Sequence, residues 1–192
     1  MTKKHFILVL GPQGSGKSTQ AELLADYIGY KFISSGKLLR KLEREKNPIG
    51  LKLAEYWING NLVPDELIDE VIFTTFEMED AKGFVLDGYP RNITQFETFF
   101  SFLKLNGWPL LNAFYIKVGG EESRKRLLKR AELEHRLDET PEAIEKRLSI
   151  YHSETQPLLT RYDEMGILTK IDGERSIEDI QMDIQSRITT KE

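Results

Sequence analysis

The decisive stretch reads Gly11-Pro12-Gln13-Gly14-Ser15-Gly16-Lys17-Ser18-Thr19. It matches the phosphate-binding pattern G-x-x-x-x-G-K-[ST] at every required position. Its three glycines allow the backbone to curl into a ring of N–H donors around anionic oxygens. Lys17 is expected to reach the β- and γ-phosphates, and the Ser18 hydroxyl is suited to Mg²⁺. The stretch therefore predicts a site for a nucleoside triphosphate.

The segments on either side of this loop support that interpretation. His5–Leu10 is a short apolar run, typical of a central parallel strand that is covered on both faces. Residues 20–28 carry apolar side chains at helical spacing, and Gly29 after them is a suitable C-cap. The alternative is an accidental glycine-rich turn, which has no need of a buried strand before it and a helix after it.

Length and composition indicate one soluble α/β domain. The chain has 192 residues and a formal net charge of −4, so a broad basic surface for nucleic acid is not expected. It contains no cysteine, which excludes disulfides and thiolate metal sites. No apolar run is long enough for a membrane span, and no signal-peptide core follows the first lysines. We therefore expect a cytoplasmic protein with no nucleic-acid or membrane partner.

Strands and helices alternate along the rest of the chain. Further strands are predicted at residues 30–33, 83–87, 113–118 and 167–171. Helices are predicted at residues 36–45, 49–59, 66–78, 92–105, 121–132, 141–165 and after Ser176. Ser35, Thr140 and Ser176 are the expected N-caps. This order predicts a doubly wound, five-stranded parallel sheet with helices on both faces.

Ligands bind such sheets beyond the carboxyl ends of the strands, where Gly11, Ser34, Asp87 and Gly119 are expected. Asp87 ends an apolar strand, and a carboxylate at that position beside a phosphate loop holds Mg²⁺ or its bound water. Because Gly88 follows, Asp87 could instead be a turn or capping residue.

Six arginines lie near the carboxyl end of a predicted strand or in the segment after it. Planar guanidinium groups suit the oxygens of two phosphate chains. A solvated charged face is the alternative, since Lys125 and Lys129 share one of these segments with several glutamates. The six are Arg40, Arg91, Arg126, Arg130, Arg136 and Arg147.

Four motifs follow one another along nearly the whole chain. The first is the phosphate loop with Gln20, and the second is Ser34-Ser35-Gly36-Lys37-Leu38-Leu39-Arg40. The third is Asp87-Gly88-Tyr89-Pro90-Arg91 with Gln95, and the fourth runs from Arg126 through Arg136-Leu137-Asp138-Glu139 to Lys146-Arg147-Leu148. In this order they resemble the motifs of the adenylate kinases and the wider nucleoside monophosphate (NMP) kinases. The third, similar to D-G-[FY]-P-R-x-x-x-Q, is the most specific.

The resemblance implies reversible transfer of the γ-phosphoryl group of MgATP to AMP, which gives two ADP. It implies a single P-loop kinase domain over residues 1–192, with its core at 1–33, 64–128 and 140–192. A small helical NMP-binding insertion is expected at residues 34–63. A short lid is expected at 129–139, without room for the cysteine-zinc knuckle of long-lid relatives. A monomer is expected.

The resemblance also implies roles for individual residues. The implied catalytic residues are Lys17, Arg91, Arg130, Arg136 and Arg147. The implied ATP site comprises Gly14, Ser15, Gly16, Lys17, Ser18, Thr19, Arg126, Arg130 and Arg175. The implied AMP site comprises Ser35, Arg40, Asn61, Leu62, Val63, Gly88, Tyr89, Pro90, Arg91, Gln95, Arg136 and Arg147. Ser18 and Asp87 are the expected Mg²⁺ ligands, partly through water.

Three residues depart from the family pattern. Ser18 replaces a glycine and restores the hydroxyl that is usual in P-loops. Lys37 replaces an aspartate and reverses a charge near the acceptor site. Glu139 replaces the second residue of an Asp-Asp pair, and its longer side chain could alter the hinge of the lid.

Other functions remain open from the sequence. The nearest is a kinase for UMP, CMP or another small acceptor, although Ser35 and Gln95 favour AMP, because pyrimidine-nucleotide relatives tend to carry Ala and Asn there. A P-loop GTPase is disfavoured because the sequence has no N-K-x-D guanine motif. A non-catalytic ATP-binding module would keep the phosphate loop but would not need Arg91.

Overall fold

The computed structural model describes residues 3–46, 50, 51, 53, 56, 63–134 and 140–188. Its strands are β1 (His5–Leu10), β2 (Lys31–Ser34), β3 (Gly83–Asp87), β4 (Leu110–Lys117) and β5 (Leu168–Asp172). They form one parallel sheet in the order β2-β3-β1-β4-β5. The predicted five-stranded parallel sheet is confirmed, and β4 begins three residues earlier than the sequence suggested.

Helices connect these strands on both faces of the sheet. They are α1 (Lys17–Ile28), α2 (Ser35–Arg44), α3 (Asp65–Met78), α4 (Ile93–Asn106), α5 (Gly120–Glu134), α6 (Pro141–Ile150), α7 (Leu158–Glu164) and α8 (Ile177–Arg187). The helix predicted at residues 49–59 lies largely outside the described residues. Within the described part of the chain, no helix has the length and apolarity needed to cross a bilayer.

The strand β1 is the centre of the fold because both of its faces are buried. Phe6 and Leu8 point into one apolar cluster, where Phe76 and Phe99 of the flanking helices pack against them. The alternate residues, such as Ile7, point into a second cluster on the other face. Helices cover both faces, as the continuous apolar sequence of β1 predicts.

The register of the strands brings the chemical groups of the site together. Val9 of β1 pairs with Asp87 of β3, and Ser34 of β2 pairs with the same residue. The phosphate loop leaves β1 two residues after Val9, so the loop, Ser34 and Asp87 all lie at one edge of the sheet. This edge is where ligands of parallel α/β sheets bind.

Two local predictions were wrong. The N-cap of α2 is Ser34 and not Ser35: Ser34 is extended, and its hydroxyl accepts a 3.4 Å hydrogen bond from the Lys37 N–H. The helix predicted over residues 141–165 is divided into α6, a π-helical turn at Tyr151–Thr155 and α7. Pro157 follows this turn, and because proline has no N–H and its ring clashes with the preceding turn, a regular α-helix cannot pass through it.

Candidate active site

The loop between β1 and α1 has the backbone geometry of an anion cradle. Gly11, Gly14 and Gly16 have φ angles of 152°, 81° and 83°, which residues with a Cβ rarely adopt. A Cβ on Gly14 would also lie 2.5 Å from the backbone oxygen of Ser123, because the loop packs directly against α5. The Lys17 ammonium donates a 3.2 Å hydrogen bond to the carbonyl of Pro12, which keeps its charge at the loop.

Asp87 lies beside this loop and links it to two hydroxyl groups. Its Oδ2 atom accepts hydrogen bonds from the hydroxyls of Ser18 at 2.6 Å and Ser34 at 2.9 Å. The side chain is 4% exposed, and its Oδ1 atom is buried without a hydrogen-bond partner among the described residues. A carboxylate and a hydroxyl are hard oxygen donors of the kind that Mg²⁺ prefers. Asp87 thus contacts other elements, which favours the metal interpretation over a local turn or cap.

A cavity of about 160 Å³ opens on one side of the loop, at the carboxyl ends of β1, β2 and β3. It collects most of the residues that were predicted for the acceptor. The predicted residues that line it are Lys17, Ser18, Ser35, Arg40, Val63, Asp87, Gly88, Pro90, Arg91, Gln95, Arg130 and Arg147.

A groove of about 380 Å³ lies on the other side of the loop. It is lined by the predicted triphosphate residues Gly14, Ser15, Gly16, Lys17, Ser18, Thr19, Arg126, Arg130 and Arg175. Lys17, Ser18 and Arg130 line both the groove and the cavity. The two spaces therefore meet at two cations and a hydroxyl, an arrangement suited to two phosphate chains placed end to end.

Arg91 is held by contacts to the residues around it. Its Nε donates to the carbonyl of Gly88 at 2.7 Å, and its Nη2 donates to the Ser35 hydroxyl at 3.3 Å. The Thr155 hydroxyl donates to its backbone carbonyl at 2.7 Å. The pKa of Arg91 is lowered, chiefly by burial and also by the like charge of Arg147. The carboxylate of Asp87 offsets part of this change. Two guanidinium groups that repel each other in a cavity favour an anion between them.

Comparison with known proteins assigns the chain to a family. A sequence model described as adenylate kinase matches residues 9–167. The chain belongs to the adenylate kinase family. It is 41% identical over 175 residues to an adenylate kinase of Micrococcus luteus, with 91% of this chain and 85% of that protein covered. For an adenylate kinase of Bifidobacterium longum the identity is 38% over 183 residues, with 95% and 98% covered. For one of Thermus thermophilus it is 38% over 167 residues, with 87% and 88% covered.

Membership of the adenylate kinase family makes the chain a phosphotransferase. The alignments cover most of each relative, so the similarity extends well beyond the phosphate loop. The family that the order of motifs suggested is thereby confirmed.

The arginines of the groove are anchored near the chain's last strand. Arg126 donates to Glu122 at 2.7 Å and, through Nη1, to the carbonyl of Gly173 at 3.0 Å. Arg175 donates through Nη2 to Asp183 at 2.6 Å. Arg126 and Arg130 are four residues apart on α5, so they share one face of the helix, and both line the groove. The guanidinium groups are therefore held in place at the end of the groove by fixed carboxylates and carbonyls.

The structure does not bring every predicted residue to the cavity. The Tyr89 side chain is 2% exposed and lies in the core, where its hydroxyl donates a 2.5 Å hydrogen bond to Asp69. Burial raises the pKa of both groups. The third sequence motif placed Tyr89 with the acceptor, but its side chain packs in the apolar core. Asn61, Leu62, Arg136 and Glu139 lie outside the described residues.

The charge reversal at Lys37 lies on the surface. Its ammonium contacts Glu22 at 2.6 Å and lies 4.8 Å from the centre of the Phe32 ring. Both members of the ion pair are about half exposed. The lysine therefore has local partners on α1 and β2, and its side chain is directed to them.

Sequence reasoning missed several residues that shape the site. Ser34 was placed at the correct edge, but its bond to Asp87 was not foreseen. Tyr151 and Thr155 line the cavity because the π-helical turn redirects them. Pro157 was the available signal for that turn. Asp65 was expected in the link before the helix predicted at residues 66–78, and its contact with Gln95 was not foreseen.

Proposed function

We propose that this chain transfers the γ-phosphoryl group of MgATP to AMP, reversibly, to give two ADP, and so balances the adenine nucleotides of the cytoplasm. The observation that carries the proposal is the meeting of the groove and the cavity at Lys17, Ser18 and Arg130. An enzyme that only bound or hydrolysed ATP would need the groove alone. A second anion cavity on the far side of the loop is what a phosphorylated acceptor requires.

ATP occupies the groove in this proposal. The backbone N–H groups of residues 11–16 and the Lys17 ammonium hold its β- and γ-phosphates, and the N-terminus of α1 adds the positive end of its dipole. Arg126 and Arg175 also line the groove, where Arg126 contacts the carbonyl of Gly173. These contacts fix the donor so that the γ-phosphoryl group faces the cavity.

AMP occupies the cavity. Arg40 and Arg91 hold its phosphate, and Ser35 and Gln95 face its base, as the family resemblance implies. Val63 contributes an apolar contact and is 8% exposed. The assignment of Asn61 and Leu62 to the same subsite rests on the resemblance.

Transfer itself needs alignment and neutralisation of charge rather than covalent chemistry by the protein. Arg130 lines both spaces and Arg147 lines the cavity, so both are assigned to the transferring group, and Arg136 is assigned to it from the resemblance. Guanidinium groups at this point stabilise the charge on the equatorial oxygens of the transferring phosphoryl group. Holding donor and acceptor in line replaces a bimolecular encounter by a reaction within one complex.

Ser18 and Asp87 are proposed to hold Mg²⁺, partly through water. Their oxygens fit that ion, and the buried Oδ1 of Asp87 lacks a hydrogen-bond partner among the described residues. Among those residues no three His, Cys, Asp or Glu side chains cluster, and Mg²⁺ sites commonly combine one carboxylate with substrate phosphates. When bound, the ion neutralises charge on the phosphates.

The proposed division of the chain follows from the same site. Residues 34–63 form the NMP-binding insertion and residues 129–139 form the short lid, and each closes over one nucleotide. Closure excludes water, which would otherwise compete with AMP as the acceptor. A monomer suffices, because one chain supplies both subsites.

A panel of acceptors tests the proposal. AMP, CMP, UMP and GMP are supplied at equal concentration with MgATP, and the formation of each diphosphate is measured. We expect AMP to be phosphorylated with the highest kcat/KM. A preference for CMP or UMP would instead establish the pyrimidine-nucleotide kinase that the sequence left open.

A further inference from the structure

The amide of Gln95 is held on both sides by other groups of the protein. Its Oε1 atom accepts a 2.8 Å hydrogen bond from the backbone N–H of Arg91. Its Nε2 atom donates a 2.7 Å hydrogen bond to Oδ1 of Asp65, the first residue of α3. The side chain is 2% exposed and lines the acceptor cavity. Gln95 is therefore anchored by contacts from two different segments before any nucleotide binds.

These two contacts determine which way the amide faces. A backbone N–H can only donate, so the atom beside Arg91 must be the amide oxygen. A carboxylate can only accept, so the atom beside Asp65 must be the amide nitrogen. A rotation of the amide by 180° would break both hydrogen bonds and bring two donors together on one side and two acceptors on the other. The chemistry of the partners thus fixes the orientation.

An amide with a fixed orientation can form a pair of hydrogen bonds with only one kind of purine edge. After the two contacts, Oε1 keeps one lone pair and Nε2 keeps one N–H. Adenine presents an N6–H donor beside the N1 acceptor, whereas a 6-oxo purine presents an O6 acceptor beside an N1–H donor. An amide that can rotate pairs with either edge, but a fixed amide pairs with only one of them when the ribose and phosphate are held in place.

We infer that Asp65 is a positioning residue that makes the acceptor site selective for a 6-amino purine over a 6-oxo purine, by fixing the amide of Gln95. This inference rests on the proposed function, because it takes the cavity to be the AMP site. Arg91 holds the amide through its backbone N–H, so a substitution of the Arg91 side chain does not remove this hydrogen bond. Asp65 is the side chain through which the orientation can be tested.

Asp65 has a second partner, which provides the matched control. Its Oδ1 atom also accepts a 2.9 Å hydrogen bond from the side-chain amide of Asn92, the N-cap of α4. The oxygen of Asn92 accepts a 2.8 Å hydrogen bond from the Gln95 N–H. Asn92→Ser keeps an oxygen for the cap but removes the donor to Asp65. That variant separates the contact with Gln95 from the general anchoring of α3 to α4.

The experiment measures kcat/KM for AMP and for inosine monophosphate with the full chain and MgATP, and takes their ratio. We expect Asp65→Ala to lower the ratio of AMP to inosine monophosphate by about tenfold, the effect of losing one of the two hydrogen bonds. Asp65→Asn should keep the wild-type ratio within about threefold, since a carbonyl oxygen accepts the same bond. Asn92→Ser should also keep it.

A loss of fold or of general activity lowers both rates together, so the ratio separates specificity from stability. Asp65→Ser is the second variant if Asp65→Ala does not fold, because serine suits the first turn of a helix and its short hydroxyl does not reach Gln95. An unchanged ratio in Asp65→Ala, or in Asp65→Ser where that variant replaces it, would overturn the inference. A fall in the ratio for Asp65→Asn as large as that for Asp65→Ala would also overturn it. If the wild-type chain does not phosphorylate AMP, the proposed function itself fails.

Discussion

The Ser18 hydroxyl donates a 2.6 Å hydrogen bond to Oδ2 of Asp87, which joins the phosphate loop to the end of β3. This contact orients the carboxylate, and it puts both expected Mg²⁺ ligands within one hydrogen bond of each other. A glycine at position 18, the usual residue of the family, could not make it.

Ser18→Ala is expected to raise the Mg²⁺ concentration for half-maximal activity by about tenfold, which corresponds to the loss of about 1.4 kcal/mol of interaction. The kcat at saturating Mg²⁺ should change by less than about threefold, because Asp87 and the phosphates still hold the ion. Ser18→Thr keeps the hydroxyl and serves as the control. A Mg²⁺ titration that is identical for Ser18→Ala and wild type would show that the hydroxyl does not contact the ion.

Arg91→Ala is expected to lower kcat/KM for AMP by about a hundredfold or more, because a charged donor to the phosphates is lost. The Kd for ATP should stay within about threefold of wild type, since Arg91 lines the cavity and not the groove. Calorimetric ATP binding and steady-state rates measure the two effects. Arg161→Ala is the control, because Arg161 is exposed and pairs with Glu164 on α7. Full phosphotransfer by Arg91→Ala would remove Arg91 from the mechanism.

Tyr89→Phe is expected to destabilise the protein by about 1–3 kcal/mol near neutral pH, because it leaves a buried carboxylate without its hydrogen bond. Burial raises the pKa of Asp69, and the bond from Tyr89 opposes that rise by favouring the charged form. The contribution of the bond is therefore present above the pKa of Asp69 and is lost as the pH falls through it.

Urea unfolding of wild type and Tyr89→Phe, near neutral pH and at mildly acidic pH, measures this dependence. The difference in the free energy of unfolding should shrink at the lower pH. Tyr27→Phe, at a tyrosine that is 61% exposed, should show no difference at either pH. A deficit of the same size at both pH values would show that the protonation state of Asp69 does not change between them, which contradicts this prediction.

Lys4→Met is expected to lower the free energy of unfolding by about 2 kcal/mol or more. Lys4 is 7% exposed, and its ammonium donates to the carbonyls of Phe76 and Glu79 at 2.6 and 2.7 Å, where α3 ends. Methionine fills similar space but leaves both carbonyls without this donor. Lys3→Met, at the exposed neighbour, is the control for the loss of charge. An equal free energy of unfolding for the two variants would mean that the Lys4 hydrogen bonds do not stabilise the fold.

The central sheet and the phosphate loop could be predicted because their signals are local. The apolar run at His5–Leu10 and the glycines after it demand a buried strand and a tight loop whatever surrounds them. The carboxyl ends of parallel strands meet at one edge, so Asp87 and the loop could be placed together before the register was known.

Contacts between distant segments could not be predicted in the same way. Asp65 and Gln95 lie 30 residues apart, and nothing in either local sequence shows that the two side chains meet. Tyr89 belongs to the acceptor motif, yet its side chain enters the core. Whether a side chain in a loop faces the ligand or the core depends on the backbone path, which a motif does not specify.

Phosphoryl transfer to AMP is tested most directly by following the γ-phosphoryl group of ATP. The chain is incubated with Mg²⁺, AMP and ATP labelled in its γ-phosphate, and the products are separated. We expect the label to appear as the β-phosphate of ADP formed from AMP, with two ADP for each AMP consumed. Label released as inorganic phosphate, or no transfer to AMP by folded protein, would contradict this expectation.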